Sequence, residues 1–535
     1  MKKRRLFSII LSLALTFGSM SVAIADEVQL PTPEEIDSMH LLTPILEAET
    51  EAESETALQA LADLDADGKL LALAQIAEFA EEQNDSEILI AFLPYIGEDL
   101  MDSLEATTAT AILESNAYSD LFKIYVIDFA HTLDNFSSAS YNEALVDVAM
   151  DSSKSDELRV YAAHDIDTSM VSNPVAVYET LYDDASSMDD KMLMLKDIGF
   201  VDPAAARELS LDVLDNYESY ESRIVTMANK AYVRSINGEQ ELIDDIIARN
   251  REMMATGDAE LINGCVLALS ELEEPEAVEL ILSLPNLDEL SGKYELVERN
   301  ISGVMSFLEK QDSSTVKKII EAIPVEQFIP LIKEKLSDNP REMDQVINTI
   351  ESASSEVLPY ATSSNLEGYA IYRDGVGAWE LDAWHAGIIT EANSTKESIT
   401  SIVHHSGEGV VGSVNYNTFE NGNNFKGVYR KTTSTTTRGS IVRTADQLTT
   451  EAIAYTFTSL LTYRDGMLSN SLIHPEDITG IRCDGVVEYC YEYNNVIIRA
   501  GSIATPSGAD THNAASQIYI PRHQASMMTV VIDPE

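Results

Sequence analysis

Cysteine is scarce: a chain of 535 residues holds three, Cys265, Cys483 and Cys490. So few exclude a disulfide scaffold. Cys483 and Cys490 lie seven positions apart on one predicted helix, about 10 Å along its axis and beyond disulfide reach. Cys265, within Leu261-Ile-Asn-Gly-Cys-Val-Leu-Ala-Leu269, reads as a small core residue. Basic side chains are also in short supply, 35 against 90 acidic ones, for a net charge of −55. That balance excludes a basic nucleic-acid footprint and binding to anionic lipid by bulk charge. No stretch beyond the amino end offers about 18 uninterrupted apolar residues, so no transmembrane segment is expected in the mature chain. Nor do the cysteines and nine histidines show zinc-ligand spacing. Neither metal nor cofactor is expected.

What is present begins with an export signal. Lys2-Lys3-Arg4-Arg5, an apolar run from Leu6 to Phe17 and Ala23-Ile24-Ala25 before Asp26 form the three parts of a secretory signal peptide over residues 1–25. No cysteine near the cleavage point offers a lipoprotein anchor, so the mature chain is expected outside the cell or at the cell wall. Residues 26–55 are acidic and proline-bearing and read as a linker. From 56 to 355 helical spacing dominates, as in Leu70-Leu71-Ala74-Ile76-Ala77-Phe79, and strand signals are scarce. Asn173-Pro174, Asp202-Pro203, Glu274-Pro275 and Asn339-Pro340 each place proline where a helix would start. Helix pairs at intervals of roughly 30 to 40 residues predict an α-solenoid, similar to degenerate HEAT repeats.

Residues 360–535 hold 19 acidic and 11 basic side chains, so the helical region carries nearly all the negative charge. It could offer a cationic protein partner an acidic surface, or simply be well solvated. Asp63-Leu-Asp65-Ala-Asp67-Gly68 matches the start of a calcium loop, but Ala74 stands where the bidentate Glu belongs. The aspartates are therefore read as helix caps.

After Pro359, Gly, Thr, Tyr and Val rise, and an α+β domain is expected over 360–535. Strands are predicted at Tyr369–Tyr372, Ala386–Ile389, Ile399–Val403, Asn495–Arg499, Gln517–Ile520 and Met527–Ile532. Asp446–Tyr463 has helical spacing, and Lys426–Arg443 reads as a hairpin or loop. In Ile481-Arg-Cys-Asp-Gly-Val-Val-Glu-Tyr-Cys-Tyr-Glu492, Val486, Val487, Cys490 and Tyr491 share one helical face. Cys483 then falls at the first turn, where free N–H groups and the helix dipole favour a thiolate.

This stretch resembles the nucleophile segment of the NlpC-like papain-fold cysteine hydrolases, typically Asp-Cys-Ser-Gly-Leu-Val-Gln-Tyr. Trp384-His385-Ala386-Gly387-Ile388-Ile389 is similar to that family's His-x-Gly-Ile strand. Gly368 to Asp374 is similar to the strand before it, and Ile402-Val403-His404 to the strand after it. Histidine before cysteine is the circularly permuted order of the lecithin:retinol-acyltransferase-like and YiiX-like branches. The resemblance covers about a third of the chain. Asp484 replaces the usual Ser, and its charge opposes a neighbouring thiolate unless it faces solvent or a substrate amine. Val486 replaces Leu. By alternation Ile402 and His404 share one face and Val403 and His405 the other, so His404 is preferred over His405 by family pattern alone.

The resemblance implies a multidomain cysteine hydrolase acting on peptide or cell-wall substrates. Cys483 attacks an amide, His385 accepts its proton and returns it to the leaving group, and His404 orients the imidazole. The Cys483 backbone N–H is expected to donate to the oxyanion, with Tyr463 as a second donor. His512 and His523 follow the cysteine but lie in no His-x-Gly strand; His40, His131, His164 and His474 read as structural. Two alternatives remain: lipid acyl hydrolysis or transfer, which lacks a membrane-binding segment, and a non-catalytic solenoid binding protein with an inactive papain-like domain.

Overall fold

The computed structural model describes residues 30–131, 138–323, 365–375, 384–407, 409–514 and 520–534, with scattered positions between 328 and 347. The expected signal peptide, Asn339, the boundary near Pro359 and most of the predicted strand over 517–520 lie outside them. The first two thirds are helical, and no strand occurs there among the described residues. Sequence neighbours pack against each other, as Pro203–Asp215 does on Ser222–Arg234, which in turn meets Ala259–Ser270. Pro174, Pro203 and Pro275 each open a helix, where a missing N–H is harmless. Asp202 adds a side-chain cap, accepting from the N–H groups of Ala204 and Ala205 at 3.0 and 3.2 Å. Asp65 likewise caps the helix Ala66–Gln83 through the Gly68 N–H at 3.0 Å.

The stretch read as a linker does not behave as one. Pro33–Asp37, Thr43–Leu46 and Glu51–Ala62 are helices, and Ile36, Leu42 and Ile45 are buried in the helical core. The Gln75 carboxamide holds this segment down, donating to the Glu35 carbonyl and accepting from the Leu41 N–H. Composition hid an apolar spacing too sparse to stand out among the acids.

The last third is α+β. Strands β1 (Ala370–Asp374), β2 (Trp384–Glu391), β3 (Ser401–His404), β4 (Gly412–Val414), β5 (Phe425–Arg430), β6 (Leu461–Tyr463), β7 (Ile478–Ile481) and β8 (Thr529–Ile532) follow in chain order. Six form one antiparallel sheet ordered β4-β3-β2-β1-β5-β8, and β6 pairs with β7. The helix Cys483–Tyr493 packs on β2.

Three expectations fail here. Lys426–Arg443 is not a hairpin: it contains most of β5 and the start of a helix, Thr435–Leu448, capped by Ser434. Asp446–Tyr463 is not one helix, since beyond Leu448 the chain runs through a buried irregular segment to β6. Ala452 there takes a left-handed φ of 47°, which a continuous helix excludes. Asn495–Arg499 forms no strand; its backbone N–H groups at Ile498 and Arg499 instead donate to the Glu492 carboxylate.

The irregular segment is where the two parts join. Ala452, Ala454, Tyr455, Phe457 and Cys483 all belong to the core of the helical part. Buried polar groups supplied by the helices satisfy its backbone. Asp128 accepts from the N–H groups of Phe457 and Thr458 at 3.1 and 2.7 Å and from the Thr458 hydroxyl at 2.6 Å. Lys196 donates to the carbonyls of Glu451 and Ile478, and Lys230 and Arg234 pair with the Glu451 carboxylate. Removing one partner strands buried donors, so Asp128→Ala is expected to cost about 3 kcal/mol in urea unfolding. A loss below about 1 kcal/mol would mean that the segment does not depend on this carboxylate.

Candidate active site

Cys483 is the first residue of its helix, preceded by Arg482 in extended conformation. The glycine two positions on has a steric reason: a Cβ at Gly485 would lie 2.0 Å from the Leu460 carbonyl oxygen. That carbonyl accepts the Arg482 N–H, tying the helix start to the irregular segment. The His-x-Gly pattern has a similar cause. A Cβ at Gly387 would meet Ile402 Cγ2 at 2.7 Å, so glycine lets β3 lie close beside His385.

His385 and His404, on β2 and β3, meet edge to face, with His385 Nε2 2.7 Å from His404 Nδ1. His405 turns to the opposite face and donates from Nε2 to the Ile453 carbonyl at 3.0 Å. Of the two, His404 is the one in contact with His385. Ligand-bearing atoms of His385, Cys483 and a third residue, Glu87, all lie within 4.8 Å of one another. The structure therefore brings Cys483, His385 and His404 together.

Glu87 comes from the helical part, as the residue before the helix Ile88–Ser103. Its Oε2 is 2.6 Å from His385 Nδ1, and its Oε1 accepts from the Tyr455 hydroxyl at 2.8 Å. The Cys483 thiol donates to the same carboxylate, and the Ala386 N–H donates to the sulfur. Sequence reasoning missed both Glu87 and Tyr455. Tyr463, expected as an oxyanion donor, bonds instead to Asp510. Asp484 faces neither solvent nor substrate: the buried Arg482 guanidinium grips it in a bidentate pair at 2.6 and 2.9 Å.

Electrostatics also departs from expectation. Cys483 has no solvent exposure, and burial, with Glu87 and Asp484 nearby, pushes its thiol well above the ordinary range. Arg482 and the Ala386 N–H offset this only in part. The helix terminus alone suggested a thiolate; desolvation outweighs it here. Burial also pushes His385 well below its usual value, helped by Arg373, and takes His404 and His405 down to about 3. Burial raises Glu87, against the opposing pull of Arg373 and Tyr455. The cluster is thus a closed site of neutral thiol and neutral imidazoles. Solvent reaches its edge through a cavity of about 460 Å³ lined by Glu87, Arg373, His404, Ser406, Thr418 and Phe419. A larger cavity, about 840 Å³ beside Tyr294 and Arg443, touches none of these residues.

No protein-family model, curated protein or solved structure matches this chain. Among the described residues no helix is long and apolar enough to cross a membrane.

The buried imidazoles give folding an acid dependence of known sign. Unfolded histidine titrates near 6.5, whereas His405 stays neutral in the fold down to about 3. Between those values the unfolded chain binds the extra proton, so this contribution to stability is complete above 6.5 and is lost as pH falls. His405→Gln can keep the bond to Ile453 without titrating. Its stability should fall less steeply than the wild type's from pH 6.5 to 4.5, by about 1 kcal/mol per pH unit in urea unfolding. Parallel curves would contradict a buried neutral His405.

Proposed function

We propose that the protein is an exported cysteine hydrolase, of amidase or endopeptidase type, acting on peptide amides of the cell wall. The observation that carries this reading is one cluster: a cysteine at a helix start, a His385 ring nitrogen within 4.8 Å of its sulfur, and His404 against His385 Nε2. Three residues selected by motif from distant parts of the chain converge on one point. The antiparallel sheet with the cysteine helix packed on β2 supports a permuted papain-like domain. The proline-led helix pairs support a degenerate HEAT-like platform before it.

In this reaction Cys483 gives its proton to His385 Nδ1, and the sulfur attacks the substrate carbonyl. His385 then protonates the leaving amine, and water releases the acyl group from the thioester. His404 Nδ1 accepts from His385 Nε2–H, which selects the tautomer with Nδ1 open to take that proton. In this reading the Tyr455 hydroxyl and the Cys483 N–H donate to the oxyanion. Before substrate binds, Glu87 holds the Tyr455 hydroxyl on one oxygen and faces His385 with the other. Substrate must displace its carboxylate toward the adjoining cavity, after which a solvated dyad loses the desolvation that holds it neutral.

A second reading has its own support. The fully buried sulfur and its raised titration range suit a non-catalytic domain in which the cluster only braces the fold. Incubation of the mature protein with muropeptides separates the two. New amines should appear, and Cys483→Ala or His385→Ala should each reduce turnover by about 10³ or more. Glu87→Gln removes the nearest negative charge, so iodoacetamide should label Cys483 about tenfold faster at pH 8 than in the wild type. Absence of turnover together with unchanged labelling favours the bracing role.

A further inference from the structure

We propose that Glu87, His385 and Cys483 bind one zinc ion, and that the ion locks the site in its closed state. A carboxylate, an imidazole and a thiol are all zinc donors, and here each comes from a different element: a helix start in the scaffold, β2, and the Cys483 helix. All three are buried, with their donor atoms within 4.8 Å of one another. Nothing in sequence spacing marks such a site, because Glu87 and His385 lie almost 300 residues apart.

Two details point to a cation between these groups. His385 Nδ1 lies 2.6 Å from Glu87 Oε2, yet no aligned hydrogen bond satisfies it. With His385 Nε2–H donated to His404, Nδ1 presents a lone pair toward a carboxylate oxygen. Two acceptors at that separation must share a proton, and a metal ion can take that proton's place. The His385–His404 contact is also the outer-shell bond that ordinarily fixes a metal-bound imidazole.

Charge and distance agree. Zinc with one thiolate, one carboxylate and one neutral imidazole has no net charge, which suits a buried place better than a lone anion. Donors around tetrahedral zinc stand about 3.3 to 3.7 Å apart. The Glu87–His385 pair must open by less than ~1 Å and the wider separations close by about as much, within reach of side-chain torsions. Binding forms the S–Zn bond and releases the thiol proton to solvent; Glu87 binds as carboxylate, and water takes the fourth position. The Glu488–Glu492–His512 cluster repeats the unsatisfied pair, with His512 Nδ1 2.8 Å from Glu488 Oε1, but it offers no thiol and both Glu492 oxygens are engaged. Glu492 already accepts the N–H groups of Ile498, Arg499 and Ile503, and Glu488 accepts from Gln524.

The regulatory consequence rests on the hydrolase reading, since zinc occupies both the sulfur and the nitrogen that turnover requires. The site itself rests on geometry. Cobalt(II) added to chelator-treated full-length protein should bind one equivalent with a near-ultraviolet sulfur-to-cobalt charge-transfer band, and zinc should displace it. Zinc should also protect Cys483 from iodoacetamide, and Glu87→Gln should weaken zinc binding about tenfold or more. Loss of the band in Cys483→Ser, with its circular dichroism unchanged, supports the site. A folded wild type without the band overturns the proposal, as does a band that survives Cys483→Ser. Where that variant fails to fold, protection of wild-type Cys483 decides, and unprotected labelling overturns it. Amine release from muropeptides without the cobalt band leaves the hydrolase and removes the metal; the band without amine release from metal-free protein does the reverse.

Discussion

The carboxylate of Glu87 is the point at which the scaffold enters the chemistry of the sheet. It is fixed at the start of its own helix, bonded to Tyr455 and set against His385 and Cys483. Burial opposes charge on Glu87, His385 and Cys483 alike. The sulfur is part of the helical core, and Glu87, from another part of the fold, adds to the burial that raises its titration range.

The joint around that carboxylate is closed by buried ion pairs. Helical-part cations, rare in so acidic a chain, are turned toward the sheet: Lys196 and Lys230, with Arg234, converge on Glu451, and Arg299 meets Glu476. Such buried pairs fix register more surely than they add stability. Their effect is to hold the irregular segment, and with it Tyr455, against the start of the cysteine helix. Displacing Glu87 therefore means moving one side chain toward a cavity, not separating two domains. The excess acid is left to the rest of the scaffold.

Some of this was legible in the chain. The Cys-Asp-Gly and His-x-Gly patterns could be read because their causes are local: Gly485 and Gly387 answer close backbone approaches next to the residues they accompany. Strands β1 to β3 and the proline-led helix starts follow for the same reason. Glu87 could not be read, since one acid among 90 carries no sign of a contact made almost 300 residues away. Tyr455 was hidden by helical spacing in Leu448, Ile453, Phe457 and Leu460, which arises here from burial on two sides and not from a helix. The thiol was misjudged because a helix terminus is visible in sequence, whereas desolvation is a property of the assembled fold.

Nitrogen NMR of histidine-labelled protein tests the central claim most directly, since it reports the state of each ring nitrogen. The account predicts that at pH 7 and without metal His385 is neutral, protonated at Nε2, with an Nδ1 resonance that shifts in Glu87→Gln. A His385 imidazolium paired with a thiolate, or an Nδ1 resonance indifferent to Glu87, would contradict it.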